Sequence, residues 1–341
     1  MKTKDFDYIL PQELIAQEPL QPRDSSRLLV VNRRDGSLQE SFFKDIVDFF
    51  VQGDILVLNR SKVIAARLWA CKPTGAKIEV LLLEENQEGA WEVLLRPSRR
   101  LKIKDVLIFS DAQYTAEVLE RTPKGTWLIR FKPWDIKKLV AQKGVMPTPP
   151  YIKKPLKDYR KYQTVFAEVE GSVAAPTAGL HFTEELLLKL KAKGVSIVYI
   201  TLHVGLGTFR SISAENIEDH RMDSEYYQID RAGTEAINAA KDNKKRIFAC
   251  GTSAVRALES SVCSAGCRQL KPLSRKTDLF IYPGFKFKVA DSLITNFHVP
   301  RSTNLLLISA FAGKGLVDKA YQFAIEKNYR FYSFGDAMLV L

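Results

Sequence analysis

Proton transfer near neutral pH falls most readily to histidine, and this chain of 341 residues has four: His181, His203, His220 and His298. All four stand in short stretches dense in Gly, Pro, Thr or acidic residues, the texture of loops at strand and helix ends where sites are built. Any one of them could instead be a packing residue satisfied by hydrogen bonds. The surroundings of three of them argue for more. His181 closes GSVAAPTAGLHF (Gly171 to Phe182), whose small residues would let a ligand approach backbone N–H groups just before a helix. A tight turn feeding that helix would look the same. His203 opens HVGLGTF (to Phe209), and His298 lies within TNFHVPRST (Thr295 to Thr303), again ahead of a helix. His220, among Glu218, Asp219, Arg221 and Asp223, reads as a member of a polar network, so His203 is expected to lie closer to any chemistry.

Gly205-Leu206-Gly207 directly after an apolar run resembles part of a nucleotide-binding loop. Arg210 occupies the place of the third glycine, so a dinucleotide cofactor site is rejected. Phe209 could still stack on an adenine. Glu225, Thr252, Arg256 and Phe297 fall in neighbouring polar or glycine-rich stretches, and Asp336 stands alone in a C-terminal turn where it could simply cap the backbone.

The elements that must position these residues change in kind along the chain. Residues 54–58 (DILVL) read as a buried strand. Short alternating or apolar runs then follow at Lys77 to Leu83, Trp91 to Leu95, Val106 to Phe109, Tyr114 to Leu119 and Thr126 to Phe131, with turn signals between them. That texture predicts a small β-barrel or sandwich. A short helix is expected at Lys137 to Lys143, and the prolines of Pro147 to Pro150 stiffen a connector. Beyond Thr164 the rhythm is α/β: helices near 184–193, 231–242, 254–261, 302–312 and 315–327, and strands at 195–202, 246–250 and 278–282. The expected fold class is therefore α/β, a large mixed domain of residues 1–68 and 151–341 interrupted by a β-barrel domain of residues 69–150.

Composition narrows the field. With 46% hydrophobic and 26% charged residues the chain is an ordinary globular protein rather than a disordered or fibrous one. No run approaches a membrane span, and the N-terminus lacks the apolar stretch of a signal peptide, so the expected location is the cytoplasm without membrane contact. Cys71, Cys250, Cys263 and Cys267 are too scattered for a disulfide framework or a zinc site and are expected as reduced thiols. The net charge of +12 favours a polyanionic partner, and the stretch from Trp69 to Tyr162 holds 19 basic against 11 acidic residues. Arg96, Arg99, Arg100 and Lys102 in that stretch are candidates for phosphate contact.

At these segments the chain resembles the S-adenosylmethionine:tRNA ribosyltransferase-isomerase family. The resemblance is carried by Phe6-Asp7-Tyr8-x-Leu10-Pro11, Leu14-Ile15-Ala16-Gln17-x-Pro19, Arg27-Leu28, Gly53-Asp54 with Asn59, and Tyr162-Gln163-Thr164. It continues through Gly171 to Phe182, Thr201 to Phe209, Thr295 to Thr303 and Gly335-Asp336-Ala337-Met338, so it covers nearly the whole chain. Ser61 and Ser253 replace the family's usual threonines and keep the hydroxyl, and Ala66 replaces a proline.

This resemblance implies an α/β domain with an inserted β-barrel, and an activity. The ribosyl part of S-adenosylmethionine would be transferred and isomerised onto 7-aminomethyl-7-deazaguanine at the wobble position of tRNA with GUN anticodons. Epoxyqueuosine would form, with release of adenine and methionine. S-adenosylmethionine would be consumed as a substrate, with no resident cofactor and no metal. The reaction needs a base at the ribose 5′-carbon, acidified by the sulfonium, and a donor at the departing adenine. His181, His203 and His298 are expected to share these tasks in one cleft. Thr177, Gly179, Leu180, Gly207, Thr208, Phe209, Glu225, Thr252, Arg256, Phe297 and Asp336 are expected to bind substrate, and Arg96, Arg99, Arg100 and Lys102 to hold tRNA. A methyltransferase acting on RNA and a non-catalytic tRNA-binding module are the rival readings. Sequence does not set the oligomeric state; a monomer is the working expectation.

Overall fold

The structure, a computed structural model, describes residues 1–99, 101–109, 112–156, 158–205, 211–262 and 269–341. The chain divides into two compact units: residues 1–62, 149–169 and 175–341 form one, and residues 63–148 and 170–174 the other.

The larger unit is built on a nine-stranded sheet. In spatial order its strands are Leu273–Thr277, Glu225–Ile229, Ser196–Leu202, Ile55–Asn59, Ile247–Cys250, Ser292–Asn296, Ala337–Val340, Arg27–Val31 and Leu38–Phe42. The four from Ser196–Leu202 to Ser292–Asn296 run parallel, with Ser196 and Ile247 both level with Ile55. Ile55–Asn59 is buried at every position, as a central strand covered on both faces requires. On one face Phe43, Ile46, Phe50, Leu186, Leu190 and Phe248 join a common core.

Helix starts follow their local chemistry. Thr183 accepts the Leu186 N–H at 3.1 Å, Asp230 the Gly233 N–H at 2.8 Å, and Ser302 the Leu305 N–H at 3.2 Å. One strand lies elsewhere than its apolar pattern suggested. The expected strand at 278–282 is unpaired chain, and the ladder partner of Glu225–Ile229 is Leu273–Thr277. The sequence there is Leu-Ser-Arg-Lys-Thr, and an edge strand facing water carries little apolar signal. No helix is long and apolar enough to cross a membrane among the described residues.

The smaller unit is a closed antiparallel barrel of six strands: Trp127–Lys132, Trp91–Arg96, Lys77–Glu85, Arg67–Cys71, Val106–Phe109 and Tyr114–Arg121. Inward residues such as Val80, Leu82, Val93, Leu95, Val118, Ile129 and Phe131 fill it. Register shifts at Leu82/Glu84 and Leu128/Ile129 supply local bends for closure. The fold class is the α/β architecture with a small barrel that the sequence pattern predicts.

Candidate active site

Four parallel strands ending at one edge of a sheet leave a crevice beyond their carboxyl ends, the usual ligand position in open α/β folds. Here a cleft open to solvent occupies that place. Its walls come from the residues that follow the strands: Leu202 and Val204, Gly251 to Ser253, and Thr295 to Val299. The turn Ala175 to Ala178, then Tyr151, Tyr332 and Ser333, complete it. Asn59 ties two of these strand ends together: its carboxamide accepts the Leu202 N–H at 3.0 Å and donates to the Leu202 carbonyl at 2.9 Å and to Ser253 Oγ at 3.1 Å.

At one wall lies a buried ion pair. Glu225, on a strand, and Arg256, on the Thr252–Ser260 helix, both line the cleft, and Glu225 Oε2 accepts a hydrogen bond from Arg256 Nη1. Glu225 Oε1 also accepts the Gly205 N–H at 2.7 Å, and Arg256 Nε donates to the Leu279 carbonyl at 3.0 Å. The pair thus fastens the entry to the glycine-rich loop, the helix and the chain after the edge strand to one another. The helix itself starts at Gly251, whose φ of +87° suits glycine and which has no side chain to cap the first turn. The first-turn N–H groups of Thr252 and Ser253 therefore stand at the cleft.

His298 also lines the cleft, its Nε2 sharing a hydrogen bond of 2.6 Å with Thr295 Oγ1. Its backbone is held on both sides: the N–H donates to Tyr321 OH at 2.8 Å, and Tyr8 OH donates to its carbonyl. The imidazole has one side on the cleft and protein packed round the rest, and that burial pushes its pKa down to about 3. Asn296 separates it from His181. The Asn296 amide nitrogen lies 3.2 Å from the Tyr332 carbonyl and 3.1 Å from His181 Nε2. A carbonyl oxygen can only accept, so this nitrogen donates to both, and His181 carries its proton on Nδ1, 2.8 Å from Ser26 Oγ. Burial first, then the charges of Arg330 and Arg23, hold the His181 pKa down to about 3. Both histidines are neutral at pH 7.

The residues singled out in the sequence divide accordingly. Thr177, Glu225, Thr252, Arg256, Phe297 and His298 line the cleft. His181 and Leu180 lie in the next pocket, one hydrogen bond behind Asn296. His203 follows Leu202 and precedes Val204, which both line the cleft, but its own ring stacks on Tyr226 at 5.5 Å. Of the three imidazoles, His298 is the one among the described lining residues of this cleft; His181 lies in the next pocket, and His203 stands between two lining residues. His220 packs edge-on against Phe280, at 5.0 Å between centroids.

Gly179 does not meet the cleft. A Cβ there would come within 2.8 Å of Phe166 and 2.9 Å of Thr164, so the glycine serves close packing. Asp336 is also turned elsewhere, accepting the Arg27 and Arg330 backbone N–H groups at 2.9 and 2.7 Å, which makes it a buried backbone clamp. Gly207, Thr208, Phe209 and Arg100 lie outside the described residues, as do Cys263 and Cys267. Arg96, Arg99 and Lys102 are exposed on the barrel. No group of three or more His, Cys, Asp or Glu that could hold a metal occurs among the described residues.

Asn296, Tyr151, Tyr332, Ser333 and Asn59 were not singled out, although Asn296 adjoins a selected residue. Asn296 Oδ1 is buried and has no hydrogen-bond partner among the described residues, a signal that exists only in three dimensions.

Residues 3–340 match the family described as Queuosine biosynthesis protein. The chain is 52% identical to the S-adenosylmethionine:tRNA ribosyltransferase-isomerase of Halothermothrix orenii and 50% identical to that of Desulforamulus reducens, each over the full length of both proteins. Its structure resembles a crystal structure of S-adenosylmethionine tRNA ribosyltransferase from Thermotoga maritima, with 41% identity, a TM-score of 0.57, and coverage of 99% of this chain and 100% of the other. A match over residues 3–340, with relatives about half identical over their whole length, shows that the chain belongs to the queuosine biosynthesis protein family.

Proposed function

We propose that this chain is an S-adenosylmethionine:tRNA ribosyltransferase-isomerase. It transfers and isomerises the ribosyl moiety of S-adenosylmethionine onto 7-aminomethyl-7-deazaguanine at the wobble position of tRNA with GUN anticodons, in the cytoplasm. Epoxyqueuosine is formed, and adenine and methionine leave. S-adenosylmethionine is a substrate, and the reaction runs without a resident cofactor or metal. The observation that carries this reading is a cleft lined by a neutral histidine, with an unpaired amide acceptor beside it, in a chain half identical to enzymes of that name over their whole length. His298 is the proposed proton-transfer residue; Glu225 and Arg256 shape the wall. Adenine release on mixing the protein with both substrates is the test. Label placement separates the rivals: a ribose label should enter the tRNA and a methyl label should not, whereas a methyltransferase gives the reverse and a binding module gives neither.

The exposed cations of the barrel, Arg96, Arg99 and Lys102, are proposed to hold tRNA phosphates. Changing all three to alanine is expected to weaken tRNA binding and flatten its salt dependence. For every phosphate that the variant no longer neutralises, the slope of log K against log salt should become shallower by about 0.7–0.9. An unchanged tRNA affinity at low salt would remove them from the docking surface.

A further inference from the structure

Behind Ser333, which lines the cleft, lies a second pocket that the ribosyl-transfer reading leaves without a role. It is a small, partly open pocket, so that only the tip of a ligand, such as one or two oxygens of an anionic group, could enter it. Arg23, Lys161 and Arg330 line it, with Ser26, His181 and Ser333, and no carboxylate lines it among the described residues. The carboxylate of Asp336 takes two backbone N–H groups, and that of Asp158 binds Arg160.

The two guanidinium groups are only partly satisfied. Arg23 donates to the carbonyls of Gln163 and Arg160, at 2.6 and 2.8 Å, and Arg330 Nη2 donates to the Glu18 carbonyl. These are neutral acceptors; the opposite charges that act on the two guanidinium groups are Asp158 for Arg23 and Asp336 for Arg330. Arg330 Nη1 is buried with no hydrogen-bond partner at all among the described residues. A buried charged donor without an acceptor is costly, and a ligand oxygen would supply what it lacks. Burial lowers the pKa of both arginines and outweighs the opposing charges of Asp158 and Asp336.

We propose that this pocket is an oxyanion subsite of the cleft, taking a carboxylate or phosphate group of a ligand seated beside it. The proposal rests on the ribosyl-transfer reading, whose two substrates both carry such a group: the methionyl carboxylate of S-adenosylmethionine, or a phosphate flanking the target nucleotide. Neutral His181 and the hydroxyls of Ser26 and Ser333 add hydrogen-bonding atoms without adding negative charge.

The test uses the full chain with Arg330→Gln and Lys161→Gln, which remove the charge and keep a polar, unbranched side chain. Dissociation constants are measured for S-adenosylmethionine and for substrate tRNA separately, with adenine release followed in parallel. A tenfold or greater loss of tRNA affinity, with a shallower salt slope and unchanged S-adenosylmethionine binding, assigns the subsite to phosphate. A tenfold or greater loss for S-adenosylmethionine, while its decarboxylated form binds parent and variants alike, assigns it to the carboxylate. Both affinities within twofold of the parent in both variants, at unchanged melting temperature, would overturn the subsite. Should Arg330→Gln not fold, Lys161→Gln decides by the same criteria. An inactive parent enzyme would refute the proposed reaction instead, and the binding measurements would still read the subsite.

Discussion

Replacing His298 with alanine is expected to lower the rate of adenine release by about 10²–10⁴-fold, as removal of a proton-transfer group does. The fold should survive, because the residue is held through its backbone, by Tyr321 and Tyr8, and these bonds do not involve the side chain. A pKa of about 3 means that His298 enters the reaction neutral, as a proton acceptor or as a neutral N–H donor, and not as a standing imidazolium acid. The rate of the parent should accordingly show no inflection from His298 between pH 5 and 8. Stability carries the same signature with a definite sign. The folded state resists protonation of His298 whereas the unfolded chain accepts it near pH 6.5, so stability contributed by the neutral ring is lost as pH falls from about 6.5 toward 3. The melting temperature of His298→Ala should therefore fall less steeply with acid than that of the parent. A variant that turns over within threefold of the parent would remove His298 from the chemistry.

The second large effect concerns Arg256. Truncating it to alanine removes the guanidinium bonded to the buried Glu225 carboxylate, and breaking a buried ion pair in this way costs about 3–5 kcal/mol. Glu225 also holds the Gly205 N–H, so a repelled or protonated carboxylate would loosen the entry to the glycine loop as well. Both the denaturation midpoint and S-adenosylmethionine binding should fall. Replacing the pair together, Glu225→Leu with Arg256→Met, should recover much of the stability, since no lone charge is then buried, but should not recover turnover. Stability of Arg256→Ala within about 1 kcal/mol of the parent would mean that the pair does not organise the wall; a loss that large would be ordinary for any point substitution.

The proposed chemistry places modest demands on the scaffold, and this explains which parts of it were readable. The six-stranded barrel and the α/β rhythm show in the sequence because apolar periodicity and turn residues act locally, within a few positions. Thr183, Asp230 and Ser302 begin their helices by bonding N–H groups three residues on, so their effect is visible in the string itself. The polar edge strand Leu273–Thr277 did not show, because its pairing comes from a neighbour some fifty residues earlier in the chain and not from its own apolar content.

The sequence by itself determined which stretches would build the site: residues 175–178, 202–204, 251–256 and 295–299 all reach the cleft, since small and polar residues after apolar strands mark the loops at strand ends. Only the tertiary structure decided which side chains within those stretches face a ligand. His298 lines the cleft and the His203 ring stacks on Tyr226, and which side of each segment meets the cleft depends on strands packed from elsewhere. The meeting of Glu225 with Arg256, the bond from Asn296 to His181, and the gathering of Arg23, Lys161 and Arg330 round one pocket join residues 31, 115 and up to roughly three hundred positions apart. No local propensity encodes such contacts; they exist once the sheet order is set, because the burial of the strands brings their ends to one edge.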